Sequence, residues 1–117
     1  MHQYLLSVGH RVTDPVPDEA ALAEMRASVA LFDTELRGAG AWVYAGALQP
    51  VEQAHVVDAR GAEPITVEGP FAHADAVLRW LWVVAARDLD TALDWAALAS
   101  RACRARVEVR EFEDFAR

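Results

Sequence analysis

The sequence predicts an α+β fold of the ferredoxin-like class, in which helices cover one face of an antiparallel sheet. Two amphipathic helical stretches are spaced among strand-like stretches, in the order strand, helix, strand, hairpin, short helix, strand, helix, strand. No repeat or linker interrupts this order. The chain has 117 residues, of which 54% are hydrophobic, enough to bury one core. Residues 1–117 are therefore predicted to form a single domain.

The first strand and the first helix follow from the period of the apolar residues. Residues 3–8 alternate loosely between turn-like flanks, which predicts a strand. Pro17 suits a first helical turn. An apolar stripe at steps of three and four residues then predicts an amphipathic helix that ends at Gly38 or Gly40. The stripe consists of Leu22, Met25, Val29, Phe32 and Leu36.

The middle of the chain predicts a second strand and a hairpin. Residues 41–50 alternate as a strand that places Trp42 and Tyr44 on one face. Residues 54–59 and 64–67 predict the two strands of a hairpin, joined at the sequence Arg-Gly-Ala-Glu.

A turn at Gly69-Pro70-Phe71 separates this hairpin from the short helix and the next strand. Gly69 permits a backbone conformation closed to most residues, and Pro70 cannot donate a hydrogen bond to a sheet. Phe71 is expected to fill part of the core. The three residues are therefore interpreted as a structural hinge.

The second half of the chain predicts a strand and a second helix. Residues 79–86 alternate so that Trp80, Trp82 and Val84 share one side. Asp88 or Asp90 is expected to cap the helix that follows. The residues expected to face the core are Leu89, Leu93, Ala96 and Ala97.

A sheet covered on one side leaves its other face in need of a partner. The aromatic pairs Trp42/Tyr44 and Trp80/Trp82 are expected to give the sheet bulky apolar surface. A homodimer is therefore predicted, in which two units pair face to face into a dimeric α+β barrel.

Two motifs carry a family resemblance, Gly69-Pro70-Phe71 and the closing strand Val107 to Arg110. With the order of elements, they make nearly the whole chain resemble the DGPF branch of the YCII-related family. The resemblance implies the dimeric α+β barrel, and for many members a gene beside a sigma factor. The better-studied branch has a proposed histidine and aspartate dyad, but the matching helical position here is Val29. The dyad is therefore not carried over.

The charge balance and the residue types exclude several classes of function. Eleven basic against eighteen acidic residues give a formal charge of -7, which disfavours nucleic acid and anionic membranes as partners. No apolar run long enough to span a membrane and no signal-peptide pattern occur, so a cytoplasmic location is expected. The four histidines are scattered and no Gly-x-Gly-x-x-Gly motif is present, so neither a metal nor a cofactor is predicted.

His73 and Glu68 are the candidate catalytic residues. An imidazole near a carboxylate can move protons at neutral pH. Glu68, across the turn, is a better partner than Asp75, because residues two apart on a helix do not share a face. The alternative for His73 is an exposed or capping residue at a helix start.

Four further residues are candidates for substrate binding. Arg79 can hold an anionic group if its side chain turns inward. Trp80 or Trp42 can line an aromatic pocket. Asp75 lies beside them at a position where the family pattern has lysine.

Two functions therefore remain open. The chain binds a small aromatic or anionic molecule and catalyses an isomerase- or lyase-like acid/base reaction without a cofactor, or it is a non-catalytic dimeric regulatory or interaction module linked to a sigma factor. The sequence favours neither, because a fold alone does not imply a function.

Overall fold

The computed structural model describes residues 1–11, 13–72 and 75–114 and shows a four-stranded antiparallel sheet with two helices on one face. The elements are β1 (His2–Arg11), α1 (Glu19–Gly38), β2 (Trp42–Ala47), β3 (His55–Asp58), β4 (Ile65–Glu68), β5 (Ala76–Ala86), α2 (Leu89–Cys103) and β6 (Val107–Glu111). The strand order in the main sheet is β2-β5-β1-β6, and β3 and β4 form a separate hairpin. This arrangement confirms the predicted ferredoxin-like α+β class.

The core lies between the sheet and the helices, with Trp82 at its centre. Trp82 is fully buried, and its ring packs edge-to-face on Phe32 of α1 at 5.1 Å between centroids. Its indole N–H donates a 2.9 Å hydrogen bond to Asp33 Oδ1. The buried residues that surround it from the sheet are Tyr4, Leu6, Val8 and Val84. One tryptophan thus ties α1 to the middle of the sheet.

Helix α1 begins at Glu19, so Pro17 precedes the cap and does not stand in the first turn as predicted, and the helix ends at the predicted glycines. The Asp18 carboxylate accepts a hydrogen bond from the Ala21 N–H at 2.8 Å and caps the first turn. At the other end Gly40 adopts φ +71°, and the Ala41 N–H bonds back to the Leu36 carbonyl at 2.9 Å. This is the glycine-terminated helix end that only a left-handed residue completes. The predicted stripe is confirmed, since Val29, Phe32 and Leu36 are buried.

Helix α2 packs on the sheet through small residues, and the predicted core face is partly wrong. Ala96 is buried as predicted, whereas Leu89, Leu93 and Ala97 are exposed. The residues that α2 buries are Ala92, Ala96, Ala99, Ala102 and Cys103. Because the sheet already presents bulky side chains such as Trp82, the helix fits against it with alanines. Asp88 caps α2 by accepting from the Thr91 N–H at 2.9 Å.

A bulge in β2 overturns the prediction that Trp42 and Tyr44 share a face. Trp42 pairs with Val84 and Tyr44 pairs with Val83, so one extra residue lies between them. Trp42 packs on the core and Tyr44 is 60% exposed on the opposite side. Trp80 and Trp82 do share a side, but it is the side that the helices cover. The aromatic pairs therefore do not form the dimer surface that the sequence suggested.

The other side of the sheet, here called the open face, is not covered by any described part of the chain. The molecule is only 19 Å thick, which corresponds to one helix layer of about 10–12 Å on one sheet. Strand alternation and register place on this face Leu5, Ser7, Tyr44, Leu81, Val83, Glu108 and Arg110.

The hairpin β3–β4 belongs to an arm, residues 51–71, that extends away from the main sheet. Its strands pair with each other and with no other strand in the described ranges. The radius of gyration is 16.6 Å, against about 13 Å for a compact domain of this size. Val57, Ile65 and Val67 are each more than half exposed.

Two predictions for the segment after the arm are wrong. Phe71, expected in the core, is 94% exposed. The short helix is absent from the described residues of this segment, and β5 already begins at Ala76. Gly69 has φ +106°, so the turn itself is confirmed, and it directs Phe71 away from the core.

Candidate functional site

A cleft of about 410 Å³ lies at the end of the sheet where β1 ends and β5 begins. Arg11 is the last residue of β1 and pairs with Ala76, the first residue of β5. Arg106 directly precedes β6, whose first residue pairs with Val8 of β1. The cleft is lined by Arg11, Thr13, Asp75, Ala76 and Arg106. Three strand ends therefore bring two arginines, a threonine and an aspartate to one cleft.

The two arginines of the cleft are available to a ligand. Within the described ranges, the arginines that form ion pairs are Arg60, Arg87 and Arg104. Arg11 and Arg106 thus have no carboxylate partner in that part of the chain. A guanidinium presents a planar fork of N–H donors that matches a carboxylate or a phosphate. The arrangement is suited to an anion, and Asp75 could in addition accept a hydrogen bond from a ligand hydroxyl or amine.

The structure places one predicted site residue in this cleft and leaves Glu68 outside its lining. Asp75 lines the cleft. His73 lies outside the described residues. Glu68 is the last residue of β4 in the arm, where it is exposed and opposite His55 in the strand register. Glu68 is not among the residues that line the cleft.

Arg79 occupies an irregular position in β5. Val8 pairs with Trp80 and Gly9 pairs with Leu78, so Arg79 is the extra residue of a bulge. Its carbonyl accepts a 2.8 Å hydrogen bond from the Leu48 N–H, and its side chain is exposed. Its backbone joins β5 to the segment that leads into the arm.

The two candidate tryptophans serve the core rather than the cleft. Trp80 stacks on Trp82 with 5.9 Å between ring centroids. Trp42 lies under the Arg37 guanidinium, 3.8 Å from its ring centroid. Trp42 pairs with Val84, eight residues along β5 from Ala76, or about 26 Å at the rise of a strand. The structure therefore does not bring Trp42 and Asp75 together.

Sequence reasoning missed Arg11, Thr13 and Arg106. No local motif marks them, because the cleft forms where separate strand ends meet. The signal that could have found them is the strand order of the predicted fold. In a ferredoxin-like sheet the last strand and the strand before the second helix both flank the first strand, so the end of β1 lies beside the starts of β5 and β6.

A second cluster of titratable groups lies at the opposite end of the sheet. His2 Nδ1 is 3.1 Å from Glu111 Oε2. Burial, with the carboxylates of Glu111 and Asp88, raises the pKa of the Tyr4 phenol. Hydrogen bonds from Thr91 lower the pKa of Asp88. The Tyr4 phenol therefore stays protonated at neutral pH, which suits a contact at the end of a strand. Asp88 stays charged, which suits its role as the cap of α2.

Three further features concern metal binding, membrane spans and relatives. In the described ranges no three His, Cys, Asp or Glu side chains are grouped to hold a metal ion. Neither α1 nor α2, the helices of the described chain, is long and apolar enough to cross a membrane. No protein-family model matches the chain, and no curated protein sequence is significantly similar to it. The YCII-related resemblance stays a prediction.

Proposed function

We propose that this protein binds a small anionic molecule, a carboxylate or a phosphate ester, in the cleft at the end of the sheet, and that it does so as a homodimer. The observation that carries the proposal is the convergence of Arg11 and Arg106 with Thr13 and Asp75 around one cleft. A cytoplasmic location and membership of the DGPF branch of the YCII-related family belong to the same proposal. The single cysteine and the Gly69-Pro70-Phe71 motif support them.

Two arginines are suited to hold a doubly charged or bidentate group, and the carboxylate of Asp75 narrows the choice of ligand. An anion without a donor group would lie near a like charge, whereas a hydroxy or amino group would offset that cost. Hydroxy acids, amino acids and sugar phosphates therefore fit the cleft better than sulfate or simple fatty acids. Asp75 is also the group in the cleft that could accept a proton if the protein is an acid/base enzyme.

The proposal is tested by titrating inorganic phosphate and a panel of hydroxy and amino acids, followed by calorimetry and by thermal shift. Arg11→Ala and Arg106→Ala are each expected to weaken binding of the best ligand about tenfold or more, since each removes a charge-assisted hydrogen bond. Arg26→Ala is the matched control, because Arg26 lies exposed on α1 away from the cleft. Equal binding by all three variants would contradict the assignment of the site.

A second candidate is the non-catalytic dimeric interaction module. The exposure of Phe71 and of the arm valines favours it, since soluble monomers rarely display large contiguous apolar patches. The same experiments separate the candidates. A dimer that no anion stabilises supports the module, whereas saturable binding that both arginine variants lose supports the ligand-binding protein.

A further inference from the structure

We propose that the arm of each copy packs on the open face of a second copy, so that a dimer contains two reciprocal arm-to-face contacts. This inference rests on the homodimer of the proposed function and names the surfaces that form it. The arm carries the exposed Phe71, and the open face carries the exposed Tyr44. Both surfaces expose apolar side chains, and their charges are opposite in sign.

The arm has too little packing of its own to be stable alone. A single two-stranded hairpin is marginal in water and needs a third strand or an apolar surface to pack on. The register places Val56, Ile65 and Val67 on one side of the hairpin, and Ile65 and Val67 are largely exposed. Phe71 at its base is 94% exposed. Val56, Ile65 and Val67, with Asp58 beside them, thus form one largely apolar side of the hairpin. Phe71 adds exposed apolar surface at the base of the arm.

The open face also presents apolar side chains that no described part of the chain covers. An antiparallel sheet can leave one face to water when that face is polar, but this one presents Leu5, Leu81 and Val83 from its two central strands. Tyr44, turned outward by the bulge in β2, adds an aromatic ring. The apolar centre of the face is therefore the kind of surface that a second apolar layer covers.

The charges of the two surfaces are opposite in sign. Of the charged residues in the arm, Asp58 and Arg60 pair with each other at 2.8 Å, which leaves an excess of glutamates. These glutamates are Glu52, Glu63 and Glu68. Strand alternation places Arg11 and Arg110 on the open face, with Glu108 as its acid. The register places Glu68 on the side of the hairpin opposite Val56, Ile65 and Val67, so the glutamates border the apolar contact rather than lie within it. In a protein with a formal charge of -7, two arginines against one glutamate on the open face give the acidic arm a surface of opposite sign.

A second copy of the chain is the occupant that satisfies both surfaces at once. In a two-fold dimer, the same pair of surfaces meets twice. A standard interface buries about 800 Å² per partner, and one aromatic side chain such as Phe71 supplies about 150 Å² or more. Each copy of the dimer contributes both an arm and an open face to the contact. A different partner would cover only one of them.

The first measurement is sedimentation velocity on the full chain and on Phe71→Ser. Because Phe71 is almost fully exposed, the substitution leaves the fold of the single copy intact, which circular dichroism checks. The dimer dissociation constant is expected to rise about tenfold or more, as for an aromatic anchor at an interface. The matched control is Leu31→Ser, an exposed apolar residue on α1 outside both surfaces, which should leave the constant unchanged.

The second measurement mixes two variants to show which surface receives the arm. Tyr44→Glu damages the open face and is expected to weaken the homodimer as Phe71→Ser does. In the mixed dimer, the intact arm of the Tyr44→Glu copy meets the intact face of the Phe71→Ser copy. One of the two contacts is thus unaltered, and the other carries both substitutions. Because Phe71 and Tyr44 belong to the same contact, their losses are not additive, and the mixture is expected to associate more tightly than either variant alone.

Each outcome decides a different part of the proposal. A wild-type chain that stays monomeric overturns both the homodimer and the arm contact, and leaves ligand binding to its own test. A wild-type dimer that Phe71→Ser does not weaken overturns the arm contact alone. Variants that both weaken the dimer but fail to rescue each other show that the arm binds somewhere other than the open face, which also overturns the inference.

Discussion

At the scale of single residues, the buried hydrogen bond between Trp82 and Asp33 joins the helix layer to the sheet. Trp82 is fully buried and its indole N–H has the Asp33 carboxylate as acceptor at 2.9 Å. A buried donor that loses its acceptor stays desolvated without a compensating hydrogen bond, which lowers the free energy of unfolding. Asp33 is therefore a structural residue, although an acid on a helix facing a sheet could suggest a catalytic one.

Asp33→Ala is expected to lower the free energy of unfolding by about 1–3 kcal/mol, because it leaves the indole N–H unsatisfied. Asp33→Asn keeps an acceptor oxygen and should lose less. Glu35→Ala, on the exposed side of the same helix, serves as the control. Urea unfolding followed by tryptophan fluorescence checks the series, and equal stability of the two Asp33 variants would show that the hydrogen bond is not the cause.

At the scale of elements, the ends of the helices are set by local chemistry, while the faces they bury are set by the sheet. The end of α1 needs a left-handed residue at Gly40, whereas Gly38 lies in the last helical turn. The residues that α2 buries are set by the space on the sheet and not by the leucines of the helix. Its leucines were expected inside, but the space left by Trp82 and Tyr4 admits alanines.

Gly40→Ala is expected to destabilise the protein by about 1–2 kcal/mol, since a side chain is strained at a left-handed backbone position. Gly38→Ala is the matched control. A Cβ at either glycine meets no atom within 4 Å, so the two substitutions differ mainly in backbone conformation. Gly38→Ala should be neutral or slightly stabilising in thermal unfolding. Equal losses for both variants would contradict the conformational explanation.

At the scale of the whole molecule, shape and charge bear in opposite ways on the proposed homodimer. The molecule is a flat layer with extents of 49 × 46 × 19 Å, open on one face and extended by the arm. Its formal charge of -7 makes two copies repel at long range. The proposed dimer offsets this repulsion by bringing the acidic arm near Arg11 and Arg110 of the open face.

Two variants of equal net charge test this arrangement. One replaces Glu52, Glu63 and Glu68 of the arm by glutamine, and the other neutralises Glu19, Glu35 and Asp94 on the helices. Each changes the charge from -7 to -4 (-7 plus 3). The arm variant is expected to dimerise more weakly at low salt. The difference should disappear toward about 1 M salt, where the Debye length is about 3 Å. Sedimentation equilibrium measures the dimer dissociation constant of both variants, and equal constants at low salt would contradict the proposed charge complementarity.

The candidate site could be predicted only in part, for a reason visible in its residues. The sequence predicts Asp75 as a binding residue from its place near the turn, and it lines the cleft. It does not predict Arg11, Thr13 and Arg106, because no spacing in the sequence relates the end of the first strand to the start of the last. Trp42 was grouped with Asp75 by chemistry, but the strand register separates them.

By itself, the sequence determined the order of the six strands and the two long helices, the apolar stripe of α1, an end of α1 at Gly38 or Gly40 and a cap of α2 at Asp88 or Asp90, because periodicity, capping and left-handed turns are properties of neighbouring residues. Only the tertiary structure decided the outward turn of Tyr44, the exposure of Phe71, the alanine face of α2 and the two arginines of the cleft. These features depend on strand register, on a single extra residue in a strand and on the space that bulky neighbours leave. Such quantities are set by distant parts of the chain, so no local pattern encodes them.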